Sequence, residues 1–73
     1  MKSVESLREE ATSLAVGADR FELSLPEALS VGGSPVPKDL AMAVLLDAIL
    51  ALGFMPDGVT TGATGAIYRY RRV

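Results

Sequence analysis

The sequence predicts an α+β fold: a small antiparallel sheet of two to three strands packed on one long apolar helix, plus an N-terminal amphipathic helix. Three observations predict it. A nearly unbroken apolar run extends from Leu40 to Leu52, and Arg20 to Leu25 alternate polar and apolar. Alternation returns between Phe54 and Val73 around two clusters of turn residues. Seventy-three residues make one domain, 1–73, and leave no room for a second.

The first element is a helix over 3–16. Val4, Leu7, Ala11, Leu14 and Ala18 recur at spacings of three and four, which puts them on one face. Ser6 and Glu9 have the spacing of a capping box, and Ser3 is a rival cap one turn earlier. Gly17 is placed to stop the helix. With two alanines the stripe is thin, so this helix is expected to be spared from the core and available to a partner.

The second element is a strand. Phe21, Leu23 and Leu25 alternate with Arg20, Glu22 and Ser24, and Pro26 ends the run. One helical turn is expected over 26–29 and a loop over 30–37, where Gly, Ser and Pro gather.

The third element is a helix over 36–52. Pro37 suits a first helical turn and Asp39 complements the helix dipole. Gly53 follows as a left-handed cap, with Phe54 placed to fold back on Ile49. Leu45 and Ile49 are expected core residues. Such a helix, apolar nearly all round, must be enclosed by its own fold or by a partner. Asp47 interrupts it, either as a wet edge or as a buried charge with an arginine partner.

The fourth element is a hairpin over 54–73. Pro56-Asp57-Gly58 reads as a turn and Gly62-Ala63-Thr64-Gly65 as a second loop. Val59 to Thr61 are placed to pair with Ala66 to Tyr68. In the last strand Ala66, Tyr68 and Tyr70 share one face, and Ile67, Arg69, Arg71 and Val73 the other.

Composition argues against an enzyme. The chain has no Cys and no His, which removes disulfides, thiolate metal sites and the commonest general base. No cofactor is expected, and folding should need neither metal nor nucleotide. The glycine loop lacks the lysine and hydroxyl that a phosphate loop requires after its last glycine. No charge-free apolar run reaches the roughly 18 to 20 residues of a membrane span, and the charged N-terminus does not resemble a signal peptide. A cytoplasmic protein is the expectation.

Charge is segregated. All nine acids precede Gly58, whereas Arg69, Arg71 and Arg72 follow it with no acid among them. Two surfaces therefore combine apolar anchors with cations: Val4 and Leu7 beside Arg8, and the strand Tyr68, Arg69, Tyr70, Arg71. The N-terminal helix is expected to make the primary contact and the strand secondary ones. The competing reading of the strand is a sheet edge whose solvated arginines prevent aggregation. The acidic body favours protein over nucleic acid as partner, because phosphate contacts dominate nucleic-acid affinity.

From MKSVESLREEATSLAV to GAIYRYRRV, the whole chain resembles the small RNA polymerase-binding transcription regulators of lytic Xanthomonas phages. The likeness lies in overall length and in these terminal segments; no motif carries interface residues across. It implies a protein of the host bacterial cytoplasm that binds host RNA polymerase, and neither promoter DNA nor membrane. The contact implied is the β′ amino-terminal region near the β flap. Sigma-factor displacement would inhibit initiation, and terminators would be read through. The alternative from another class is a small nucleic-acid-binding module using the C-terminal Tyr/Arg strand as a hairpin wing. A nucleotide-binding unit at the glycine loop comes last, since it has no nucleophile–base pair.

Overall fold

Ser3 has an extended backbone, and its side-chain oxygen accepts the Ser6 N–H at 3.1 Å, so Ser3 is the cap that opens the first helix. The computed structural model describes residues 1–73. Strand β1 (Lys2–Ser3) leads directly into α1 (Val4–Ala15), and Gly17 takes a positive φ just beyond it. The buried stripe of α1 is Val4, Leu7, Ala11 and Ala15, whereas Leu14 is exposed. Thin as it is, this stripe lies wholly inside the protein. The expected spare helix is therefore a core helix.

Strand β2 (Arg20–Pro26) buries Phe21, Leu23 and Leu25 and exposes the residues between them, as the alternation requires. The next segment departs from expectation. In place of a helical turn and a loop, it forms β3 (Leu29–Val31) and β4 (Ser34–Val36), paired antiparallel. Gly32 and Gly33 join them with φ of 60° and 82°, the two left-handed residues that a two-residue type I′ hairpin turn demands. Strands of three residues are too short to show a convincing period, which hides the hairpin in the sequence. β1 pairs in parallel with β3, giving a mixed sheet of order β1-β3-β4.

Helix α2 (Lys38–Ala51) begins two residues later than expected, with Pro37 at the cap position. It buries Ala41, Leu45 and Ile49, each one helical step of four from the last. Its neighbours are α1, β3 and β5 (Phe54–Thr61). β6 (Gly65–Arg72) completes a second sheet of order β2-β6-β5, antiparallel throughout. Val59, Thr60 and Thr61 pair with Tyr68, Ile67 and Ala66, as the hairpin reading requires. Pro56-Asp57-Gly58 is a bulge within β5, not a turn. The structure is thus α+β with two helices and two small sheets, where one sheet was expected.

The core is one cluster. Val4, Leu7, Ala11 and Ala15 of α1 meet Phe21, Leu23 and Leu25 of β2, together with Leu29, Ala41, Leu45, Ile49, Phe54 and Tyr70. Phe21 is its aromatic hub, edge-on to Phe54 at 5.0 Å and stacked on Tyr70 at 5.2 Å between ring centroids. Pro26, Pro35 and Pro56 all lie on the edge strands β2, β4 and β5, where a missing N–H breaks no ladder and discourages a further strand. Neither helix is long and apolar enough to cross a membrane.

Candidate partner-binding surface

Successive side chains of a strand point to opposite faces, so in β6 Ala66, Tyr68 and Tyr70 turn toward the core and Ile67, Arg69 and Arg71 turn away. Because β6 lies between β2 and β5, the outward residues occupy the middle of a sheet face. This corrects the edge-strand reading of the arginines: the edges are β2 and β5. The register sets three rows across the face. Ser24, Ile67 and Thr60 make one; Glu22, Arg69 and Gly58 the next; Arg20, Arg71 and Met55 the third.

Two of the three arginines on this face, Arg69 and Arg71, are held. Both terminal nitrogens of Arg69 donate to Thr60 Oγ1, at 2.8 and 2.7 Å, and Glu22 stands opposite Arg69 across the ladder. Arg71 Nε lies 3.6 Å from Asp57 Oδ1, the carboxylate presented by the bulge. Such exposed pairs add little stability, but they restrict where each guanidinium points. Ile67 is exposed, Arg71 is exposed and Arg69 is half-buried. No element of the chain covers them.

Other expected site residues lie elsewhere. Val4 and Leu7 are almost completely buried, so they cannot serve as exposed anchors. Of that trio only Arg8 is accessible, on a polar face of α1 with Glu5, Glu9, Thr12 and Ser13. Tyr70 is only 2% exposed, and its stacking on Phe21 makes it a core residue. Burial pushes its phenol up to about 12, with a smaller contribution from the neighbouring Tyr68. Tyr68 is half-buried against the same core. The structure thus keeps Arg69 and Arg71 together, adds Ile67, Arg20, Glu22, Asp57 and Thr60, and withdraws Val4, Leu7 and Tyr70. The added residues become visible only once the register of β6 against both neighbours is known.

At the far end of the sheet, Lys2, Ser24, Thr60, Thr61 and Thr64 line an open groove of about 440 Å³. The glycine loop closes there as a hairpin, with the Gly62 N–H donating to the Gly65 carbonyl at 2.8 Å. Asp47 stands exposed on α2, which decides for the wet reading of that residue.

Fold and surface together define a small α+β domain with one open, mixed-charge sheet face. No protein family, curated protein or solved structure matches the chain.

Proposed function

We propose that this chain is an interaction protein that docks on a partner protein through the open face of β2, β6 and β5. The partner implied by the resemblance is host bacterial RNA polymerase, bound at the β′ amino-terminal region near the β flap in the host cytoplasm. Binding there would inhibit initiation through sigma-factor displacement and favour terminator read-through.

One observation carries the binding reading. Ile67, Arg69 and Arg71 project from a central strand onto a face that no other part of the chain covers. Arginine is enriched at interface hot spots, and side chains already oriented by Thr60 and Asp57 lose less freedom on binding. Glu22 and Asp57 among the cations favour a protein surface of mixed charge over a phosphate backbone. Burial of Tyr70 removes one of the two rings that a single-strand stacking platform would use.

The test is binding of purified RNA polymerase by the wild type and by Arg69→Glu/Arg71→Glu, with Arg8→Ala as control. The double variant should bind at least about tenfold more weakly, a difference of roughly 1.4 kcal/mol. Arg8→Ala should bind as the wild type does. Undiminished binding by the double variant would exclude this face. Tight, steeply salt-dependent binding to a single-stranded oligonucleotide would transfer the face to the nucleic-acid alternative.

A further inference from the structure

We propose a second docking surface, on α2, for an amphipathic helix of a partner protein that places a lysine or arginine within its apolar stripe. Ala41, Leu45 and Ile49 point α2 at the core. The opposite side is unpartnered: Leu40, Val44 and Leu50 are 53, 37 and 49% exposed, and Ala43, Asp47 and Ala51 are exposed between them. At roughly 100° per residue, Asp47 falls at the middle of this face. Leu40, Ala43 and Ala51 adjoin it, and Val44 and Leu50 form the margins. Positions 40, 43/44, 47 and 50/51 follow the alternating three-and-four spacing of a helix–helix seam, and the two alanines permit close approach.

Charge selects the occupant. The exposed side of α2 carries Asp39 and Asp47 and no cation, since Lys38 is half-buried on the core-facing side. A second copy of this chain, packed antiparallel along the same seam, would bring the two Asp47 carboxylates into one apolar interface. Burying like charges together is costly. A basic residue opposite Asp47 instead pairs the one charge at the centre of the seam and fixes its register. The 14 residues of α2 give a seam of about 21 Å, which matches about four turns of a partner helix. This surface is independent of the sheet face and does not rest on the identity of the partner bound there.

Two synthetic peptides test it. Both carry the same leucine/alanine stripe on a helix, one with lysine and arginine at the seam centre and margins, the other with glutamate there. Each is titrated into the full chain while backbone amide signals are followed by NMR. The basic peptide should shift signals of Leu40 to Ala51 and bind at least about tenfold more tightly than the acidic one, a difference of roughly 1.4 kcal/mol. Asp47→Asn should bring the two affinities close together, and Leu50→Lys should abolish binding. Leu50 is exposed, so its urea midpoint should hold; Val44→Lys, on the other margin, provides a second variant should it fall. Arg69→Glu/Arg71→Glu should bind the basic peptide as the wild type does, which separates this surface from the sheet face. Equal affinity for both peptides, no binding of either, or shifts confined to other elements would overturn the proposal. So would sedimentation showing self-association of the wild type that Leu50→Lys removes.

Discussion

Arg72 lies across the ring of Phe54, with its guanidinium carbon 4.6 Å from the ring centroid. From that position it donates to the Ala18 carbonyl at 2.6 Å and the Ala15 carbonyl at 3.3 Å. Helix α1 has no basic residue in its own last turn, and the final carbonyls of a helix need donors. Arg72, 57 positions away in sequence, supplies one to the last of them, Ala15, and ties down the Ala18 carbonyl just beyond the helix, so the last strand braces the end of the first helix.

Arg72→Ala should therefore cost about 1 to 2 kcal/mol in urea unfolding, through the lost cap and the lost cation–ring contact. Lysine should recover only part, because it has no planar fork to reach both carbonyls from over the ring. Asp19, 3.8 Å from Arg72 Nε and nearly all exposed, should matter little when changed to alanine. An Asp19→Ala cost equal to that of Arg72→Ala would place the stabilisation in the ion pair instead.

Leu7→Ala and Leu45→Ala should each cost roughly 2 to 5 kcal/mol, since both side chains are fully buried in the shared core. Removal of Met1 to Leu7 should abolish cooperative unfolding, because it deletes β1 and half of the buried stripe of α1. A truncated chain that melts at the wild-type temperature would show that α1 is dispensable.

Gly65 and Gly62 should respond differently to alanine. A Cβ on Gly65 would stand 2.5 Å from the Leu25 carbonyl oxygen, so the β2–β6 pairing must shift to admit it. A Cβ on Gly62 would meet nothing closer than 3.6 Å. Thermal melts should show a loss of about 1 to 3 kcal/mol for Gly65→Ala and near-neutrality for Gly62→Ala. Equal effects would contradict this close approach.

Alkaline stability should depend on Tyr70. Its phenol titrates near 12 in the folded chain against an ordinary 10, so folding favours the protonated form. That contribution is complete below pH 10 and is lost as pH rises through 12, on the order of 2 kcal/mol. In Tyr70→Phe this part of the pH dependence should vanish. A variant whose urea midpoint falls as steeply as the wild type's over that range would locate the effect in other groups.

Acid should loosen the β3–β4 hairpin. The Gly32 N–H donates to Glu5 Oε2 at 3.0 Å and, with Glu5's own N–H, holds this carboxyl below its ordinary 4.5. A lowered value stabilises the fold above the ordinary pKa, and the gain disappears as pH falls through the folded one. Hydrogen exchange at the Gly32 amide, corrected for its intrinsic pH dependence, should lose protection on acidification. Glu5→Gln should flatten that change, and an unchanged profile would remove Glu5 from the tether.

Short-range pattern decided β2, the buried positions Leu45 and Ile49 of α2, and the pairing of Val59 to Thr61 with Ala66 to Tyr68. Each of these follows from residues adjacent in the chain: period two, period three to four, and a loop that returns the strand on itself. The same reasoning placed Arg69 and Arg71 on one face of their strand with Ile67, opposite Tyr68 and Tyr70, without telling which face turns outward. It also read Pro56-Asp57-Gly58 as a turn, because a bulge and a turn use the same residues.

By itself, then, the amino-acid sequence determined the α+β class, the helices, the inward and outward alternation of β2, and the division of β6 into two faces. Tertiary structure alone decided that β6 lies between β2 and β5, that Tyr70 stacks on Phe21, and that the thin stripe of α1 is buried. It also decided that α2 keeps Leu40, Val44 and Leu50 outside. The physical reason is that periodicity tells which side of an element is apolar but not what will cover it. Here α1, β3 and β5 pack against the inner side of α2, and its far side is left uncovered.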